Sequence, residues 1–304
     1  MFARVVNAFV RFIVKLVLRL MMRPIWGRGI DFDTLRRHTA MVDRLMARLQ
    51  GTPQAVAVSA GGVDAEWIEP PQGGAAGVLL YLHGGGWCVH LPITYRRHAR
   101  ELARRSGLRV LVPDYRLAPE HPYPAALDDC LAAYRWLLAQ GERAERIAIA
   151  GDSAGGNLTL ALLMRIKREG LPMPACAVAL SPLADFHVPS SSFEFNAGSD
   201  VMFTPHAAPM LRDAYVGRAE VIDPGISPLN GDWTGLPPLL FQASGAELLL
   251  CDSIRAAERA RMAGVRVTEQ IWPGLPHVFQ LFAFLREARE ALDHIAAHLR
   301  QYIP

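Results

Sequence analysis

Along most of the chain, short apolar runs alternate with longer stretches of helical spacing. The runs at Gly77–Leu82, Val110–Val112, Ile147–Ala150, Ala177–Leu180, Leu239–Ala243 and Val265–Ile271 each predict a strand. Helical patterns fill most of the gaps, at about 93–106, 125–140, 155–169, 251–263 and 279–300. Alternation of this kind predicts a mostly parallel central sheet flanked by helices on both faces. Ahead of it, 54–59 and 63–69 read as two strands turning at Gly61-Gly62. One stretch breaks the rhythm. Residues 185–236 are rich in Ser, Pro and Asp and carry a single helical pattern near 205–216. Insertions at the carboxyl ends of strands are where lids and pockets are built.

The first fifty residues follow a different pattern. Residues 2–26 are rich in Val, Leu, Phe, Ile and Met, yet a cation interrupts every uncharged run within six residues. A membrane span needs roughly 20 predominantly apolar positions. A secretory signal needs an unbroken apolar core and a small-residue cleavage site. Neither is present. At about 100° per residue, Arg4, Arg11, Lys15, Arg19 and Arg23 share one sector of a helix and the other faces are apolar. The pattern predicts a cationic amphipathic helix ended by Pro24. Such a helix either packs as a lid with its arginines toward water or lies on an anionic membrane surface. Asp33 is expected to cap a second helix from Thr34 to about Leu49, with Leu35, Met41, Leu45 and Leu49 as its apolar positions. The expected organisation is therefore amphipathic cap helices over 1–50 and a main α/β domain over 51–304, with a cap insertion at about 185–220.

Composition narrows this further. At 304 residues, 51% hydrophobic and 20% charged, the chain can bury one large core and is not disordered. The net charge is +3, but residues 1–30 hold six cations and no acid, so the remainder is net negative. No broad basic surface is left for nucleic acid. Cys88, Cys130, Cys176 and Cys251 are widely separated, as small buried hydrophobes in a reducing, cytoplasmic compartment would be. No metal-ligand spacing and no cofactor motif is found, and oligomeric state is not legible.

The chemistry sits where strands end. Arg146-Ile147-Ala148-Ile149-Ala150 predicts a strand, Gly151-Asp152-Ser153-Ala154-Gly155 follows, and Gly156-Asn157-Leu158 opens a helix. This is G-x-S-x-G in the strand–turn–helix context of a nucleophile elbow, which projects the Ser153 hydroxyl above the sheet. Asp152 is too close in sequence to aim at a histidine that also reaches Ser153, and is expected to be structural. His83-Gly84-Gly85-Gly86-Trp87 follows the first parallel strand, and its glycines can present N–H groups to a tetrahedral oxyanion together with Ala154. A phosphate loop would require Gly-Lys-Ser/Thr or GxGxxG, which this is not. His83 is expected to organise the loop, and Trp87 to wall a pocket.

A base is expected after the last strand, where Pro273-Gly274-Leu275-Pro276-His277 offers His277, with Val278 and Phe279 beside the pocket. An acid is expected after the preceding strand. There Glu247 gives the chain order Ser…acid…His, with Asp252 as its rival. Ser153, Glu247 and His277 would then form a triad for acyl transfer from a small-molecule ester, with no metal or cofactor.

Several motifs carry a resemblance to a known family. They are His83-Gly84-Gly85-Gly86-Trp87, Asp114-Tyr115-Arg116-Leu117-Ala118-Pro119-Glu120, Pro124-Ala125-Ala126, Gly151-Asp152-Ser153-Ala154-Gly155-Gly156-Asn157, Ser227-Pro228-Leu229 and Gly235-Leu236-Pro237-Pro238. From about residue 30 to its end, the chain resembles the hormone-sensitive-lipase family of esterases (bacterial esterase family IV). The resemblance implies an α/β-hydrolase fold with a helical cap, hydrolysis of short- to medium-chain acyl esters, oxyanion donors at Gly85, Gly86 and Ala154, and Gly84 serving the turn. It also implies that Asp114–Glu120 braces the catalytic loops. A lactonase, amidase or acyltransferase could use the same residues. A non-catalytic receptor on this fold would have lost the histidine. Two positions depart from the family pattern: Glu247-Leu248-Leu249 stands for Asp-Pro-Leu, and His277-Val278-Phe279 for His-Gly-Phe.

Overall fold

The computed structural model describes residues 2–23, 31–188 and 190–303. Its centre is an eight-stranded sheet of β1 (Val56–Ala60), β2 (Val63–Ile68), β3 (Val78–Leu82), β4 (Arg109–Pro113), β5 (Ile147–Asp152), β6 (Cys176–Leu180), β7 (Leu239–Ser244) and β8 (Val267–Trp272). The spatial order is β1-β2-β4-β3-β5-β6-β7-β8, and only the two pairings of β2 are antiparallel. Strands β3, β5, β6 and β7 are buried along their whole length, which is why they read as unbroken apolar runs.

The described helices are α1 (Phe2–Met22), α2 (Phe32–Gln50), α3 (Pro92–Ser106), α4 (Ala125–Ala139), α5 (Ala154–Arg168), α6 (Ser192–Phe195), α7 (Ala207–Val216), α8 (Leu250–Met262) and α9 (Arg286–Tyr302). Alternate strand residues feed two cores. Val78, Leu80 and Leu82 pack with residues of α4, α5 and α8, whereas Leu79 and Tyr81 pack with residues of α3 and α9. The pleat thus assigns each helix layer its face of the sheet. Registers such as Leu82 with Gly151, Asp152 with Leu180, and Ser244 with Trp272 bring the carboxyl ends of β3, β5, β6, β7 and β8 to one edge.

Three expectations are corrected. The helix predicted over 279–300 is interrupted: a single turn at Phe279–Leu281 precedes α9 at Arg286. Phe279 and Leu285 are both wholly buried in one cluster. In an unbroken helix, six residues would set them about 120° apart, on different faces. The second helix begins earlier than predicted, because Asp31 rather than Asp33 accepts the Thr34 N–H (2.7 Å). Its buried positions are Leu35, Thr39 and Asp43, while Met41 and Leu45 are exposed. Asp43 accepts from the Ile93 and Thr94 N–H groups (3.0 and 2.9 Å), so α2 caps the start of α3, whose own N-cap residue, Leu91, cannot.

The third correction concerns α1. The lid reading pointed its arginines at water. Instead Arg11 pairs with Glu287 (2.9 Å) and donates to the Pro273 carbonyl (3.0 Å), and Arg23 donates to the Ala197 carbonyl (2.9 Å). Pro24, expected to end this helix, lies outside the described residues. Among the described residues no helix is long and apolar enough to cross a membrane. Cys88, Cys130 and Cys176 are buried, Cys251 is half-buried, and all four are free thiols.

Candidate active site

Ser153 stands between β5 and α5 with φ 54° and ψ −117°, a strained conformation for a non-glycine residue. The turn is held open by two glycines. A Cβ on Gly155 would sit 1.9 Å from the Leu82 carbonyl oxygen, and one on Gly151 would sit 2.2 Å from that of Gly155. Only hydrogen in place of a side chain lets β3, β5 and α5 approach this closely. The Ser153 N–H donates to the Leu180 carbonyl (2.8 Å), fastening the turn to β6.

His277 follows β8, and Glu247 follows β7. His277 Nδ1 lies 2.9 Å from Glu247 Oε2, and both side chains are almost wholly buried. Burial works to lower the imidazole pKa, but the Glu247 charge and hydrogen bond outweigh it and hold His277 above the ordinary histidine value. Burial dominates at Glu247, raising its pKa against the opposing pull of His277 and Ser181. His277 Nε2 is buried without a partner among the described residues, and Ser153 Oγ makes no hydrogen bond to it. The imidazole–carboxylate contact expected of a triad is therefore present, and the contact between Nε2 and the Ser153 hydroxyl is open. Catalytic hydrogen bonds commonly tighten only when substrate is bound.

The rival acid is occupied elsewhere. Asp252, in α8, accepts from the Ala184 and Asp185 N–H groups (2.8 and 3.3 Å) and from Ser190. Asp152 is likewise structural. It accepts from Tyr81 Oη (2.8 Å), Tyr95 Oη (2.9 Å) and the Gly84 N–H (3.1 Å), while burial pushes its pKa up to about 6.

That last bond corrects one expectation. Gly84, which the glycine run alone offered as an oxyanion donor and the resemblance assigned to the turn, commits its N–H to Asp152, and a Cβ there would meet Asp152 Oδ2 at 2.2 Å. Gly85 and Gly86 take φ of 117° and 60°, and neither their N–H groups nor that of Ala154 find an acceptor among the described residues. Three donors are left at the elbow and the glycine loop. Leu211 of α7 lies against Gly86, where a Cβ would meet its Cδ2 at 2.7 Å, so the insertion packs directly on this loop.

The loop is braced as the resemblance implied. Tyr115 Oη donates to the His83 carbonyl (2.7 Å), the Ala118 N–H donates to the Trp87 carbonyl (2.9 Å), and Arg36 donates to the Cys88 and Ala118 carbonyls (both 2.8 Å). The His83 ring stacks between Tyr115 and His90, its Nδ1 lies 2.7 Å from the Gly84 carbonyl, and burial lowers its pKa well below the usual value. His83, His90 and Asp114 bring potential ligand atoms within 4.8 Å of one another. The two imidazoles, however, stack at 14°, which aims their lone pairs side by side rather than at one ion. Trp87 is buried and stacks on Tyr215 of α7 at 4.2 Å. Val278 is almost wholly buried in a left-handed conformation (φ 48°), where the family's glycine would be at ease. Phe279 packs with Leu275, Leu285 and Trp272, beneath the histidine loop.

Sequence reasoning missed several supports of the acid. Ser181, directly after β6 and itself at φ 47°, donates to Glu247 Oε2 (2.9 Å). Asn196 Nδ2 donates to the Glu247 carbonyl (2.9 Å), and Asp200 Oδ2 accepts the Leu248 N–H (2.9 Å). The Phe203 ring meets the His277 ring at 5.1 Å, edge to face. No short-range motif marks these residues. The only signal was that 185–236 is polar yet follows a buried strand.

Comparison with known proteins agrees with this geometry. Residues 79–281 match a family described as having the alpha/beta hydrolase fold. An acetyl-hydrolase of Streptomyces hygroscopicus is 38% identical over 252 residues, 82% of this chain and 84% of that protein. The carboxylesterase/phospholipase LipF of Mycobacterium tuberculosis is 34% identical over 305 residues, covering 95% of this chain and 80% of that one. A crystal structure of an esterase from the bacterial hormone-sensitive lipase family superposes with a TM-score of 0.89 at 39% identity, covering 95% of this chain and 98% of the other. With its sheet, elbow and glycine loop, the chain belongs to the hormone-sensitive-lipase family of α/β-hydrolases, as a carboxylic-ester hydrolase.

Proposed function

We propose that the chain hydrolyses short- to medium-chain acyl esters through an acyl-enzyme on Ser153. The observation that carries this reading is the buried His277–Glu247 pair at 2.9 Å, with Nε2 left free at the sheet edge where the Ser153 turn also emerges. Ser153 Oγ attacks the ester carbonyl while His277 Nε2 takes its proton. The charge on the former carbonyl oxygen is met by the N–H groups of Gly85, Gly86 and Ala154. Collapse of this intermediate breaks the bond to the alcohol oxygen, which receives the proton from His277. Water then attacks the acyl-enzyme, again giving a proton to His277, and the acid leaves as Ser153 recovers its own. Glu247 holds the imidazole tautomer and stabilises its charged form.

Trp87, with Tyr215 and Phe186 around it, is assigned to the acyl pocket, and its place between the glycine loop and α7 supports this. Val278 and Phe279 are assigned to seating the histidine loop. One relative is named an acetyl-hydrolase, and a structure 37% identical to this chain is that of EstE5 soaked with p-nitrophenyl butyrate. The butyrate ester is therefore the first substrate to test. A burst of p-nitrophenol followed by turnover is expected, with Ser153→Ala abolishing both. A Ser153→Ala chain as active as the parent would overturn the reading. The free thiols fit a reducing compartment such as the cytoplasm.

A further inference from the structure

The outward side of α1 is apolar. Phe9, Phe12, Ile13, Leu16, Val17 and Leu20 are between 39% and 67% exposed. The opposite side is docked: Val10 and Val14 pack on the cluster around Leu275, Phe279 and Leu285, and Asn7 and Arg11 hold Glu287. A helix fastened by one face with six large apolar side chains turned outward presents a surface that a protein in water does not ordinarily leave uncovered. The surroundings extend it. Phe195 is exposed two residues before Ala197, the residue that Arg23 grips, and Phe284 is exposed three residues before Glu287.

Charge says what would cover this surface. Among the described residues Arg19 and Arg23 donate only to backbone carbonyls, of Gly198 (3.4 Å) and Ala197 (2.9 Å), and pair with no carboxylate. Lys15 has no carboxylate partner among the described residues, and residues 1–30 contain no acid at all. Two copies meeting through this face would set cationic flanks together with nothing on the helix to oppose them. A surface that is apolar within and anionic at its rim answers both features.

We propose that α1 docks the protein onto an anionic lipid bilayer, lying in the interface with Phe9, Phe12, Ile13, Leu16, Val17 and Leu20 toward the acyl region and Lys15, Arg19 and Arg23 at the phosphates. The helix lies on the membrane rather than through it, since its cations interrupt any apolar stretch long enough to span. Docking brings a second feature to the lipid. Between α1 and the loop leading to His277, a groove of about 530 Å³ is lined by Phe12, Leu16, Lys15, Arg19, Val201 and Gly274. It would open at the bilayer surface with an almost wholly apolar lining.

The test is co-sedimentation of the full chain with phosphatidylcholine vesicles, with and without about 30 mol% phosphatidylglycerol. Binding is expected to be roughly tenfold or more stronger with the anionic lipid and to weaken as salt rises. Exchanging Phe9→Ser and Leu20→Ser together is expected to cut binding at least about tenfold, because interfacial affinity scales with the apolar area inserted. That variant should keep its hydrolysis of dissolved p-nitrophenyl butyrate, which shows it to be folded. Equal binding to both vesicle types, binding undiminished in the double variant, or no binding to anionic vesicles would each overturn the proposal. A dimer that the double variant splits, with no vesicle binding, would assign the face to a second copy and overturn it too.

Discussion

In the proposed mechanism the chemistry turns on His277, whose titration is governed by Glu247. Burial alone would lower the imidazole pKa, as it does at His98, pushed down to about 4 with no carboxylate bonded to its ring. At His277 the bonded carboxylate reverses the sign. The general base of the proposed mechanism works unprotonated, so kcat/KM should fall on the acid side with an inflection above the ordinary histidine value. Glu247→Gln removes the opposing charge and leaves burial unchecked. The acid inflection should then move to lower pH while kcat drops by roughly 10²–10⁴-fold, measured as a pH–rate profile of both chains. Ser181 acts one bond further out. Its hydroxyl donates to the same oxygen, Glu247 Oε2, that receives His277. Ser181→Ala should lower kcat about tenfold, the scale of a hydrogen bond to a charged group, with KM little changed. A change confined to KM would place Ser181 outside the catalytic alignment.

At the scale of elements, the site depends on how closely β3, β5 and α5 approach. Gly155 is the contact point, since its missing Cβ would fall 1.9 Å from a backbone oxygen of β3 that cannot swing aside. Gly155→Ala should lower Tm by roughly 5 °C or more and depress activity with it. Gly198→Ala, where a Cβ meets open space, is the matched control and should melt with the parent. The element pattern was largely legible in the sequence because a strand buried on both faces must be apolar throughout, as β5 and β7 are. It failed at α9, where the spacing continued through 279–285 but two large side chains needed the same cluster. It also failed at α2, where Met41 and Leu45 look like a buried stripe and face outward. Their neighbours Thr39 and Asp43 are buried instead, Thr39 on its own helix backbone and Asp43 as the cap of α3.

At the scale of the whole molecule, α1 stands apart from the two cores that hold the sheet: among the described residues its apolar side chains Val10 and Val14 pack on the smaller cluster under the histidine loop. A chain beginning at residue 31 should therefore still melt in one cooperative transition. It would lack the Arg11 bonds to the Pro273 and Gly274 carbonyls and the α1 wall of the adjoining groove. Its activity should fall more for long acyl esters than for acetate, read from an acyl-chain-length series on both chains. Equal losses along the series would separate α1 from substrate selection.

The sequence by itself determined the succession of strands and helices along the chain, the strand–turn–helix elbow at Ser153, the placing of Glu247 and His277 just after strand ends, and the family. Each of these rests on a local requirement: a turn that only glycines permit, a run that only a buried strand needs, a residue placed just after a strand end. Tertiary structure supplied the reason why the Gly84 N–H is not free, since Asp152 takes it from across the turn. Tertiary structure alone brought Ser181, Asn196 and Asp200 to the Glu247 loop, and turned α1 so that Arg11 and Arg23 bond the protein while Phe9, Phe12 and Leu20 look outward. Periodicity shows that a helix has faces. Which face meets the protein depends on partners far away in the chain, and those are specified only when the sheet and its loops are in place.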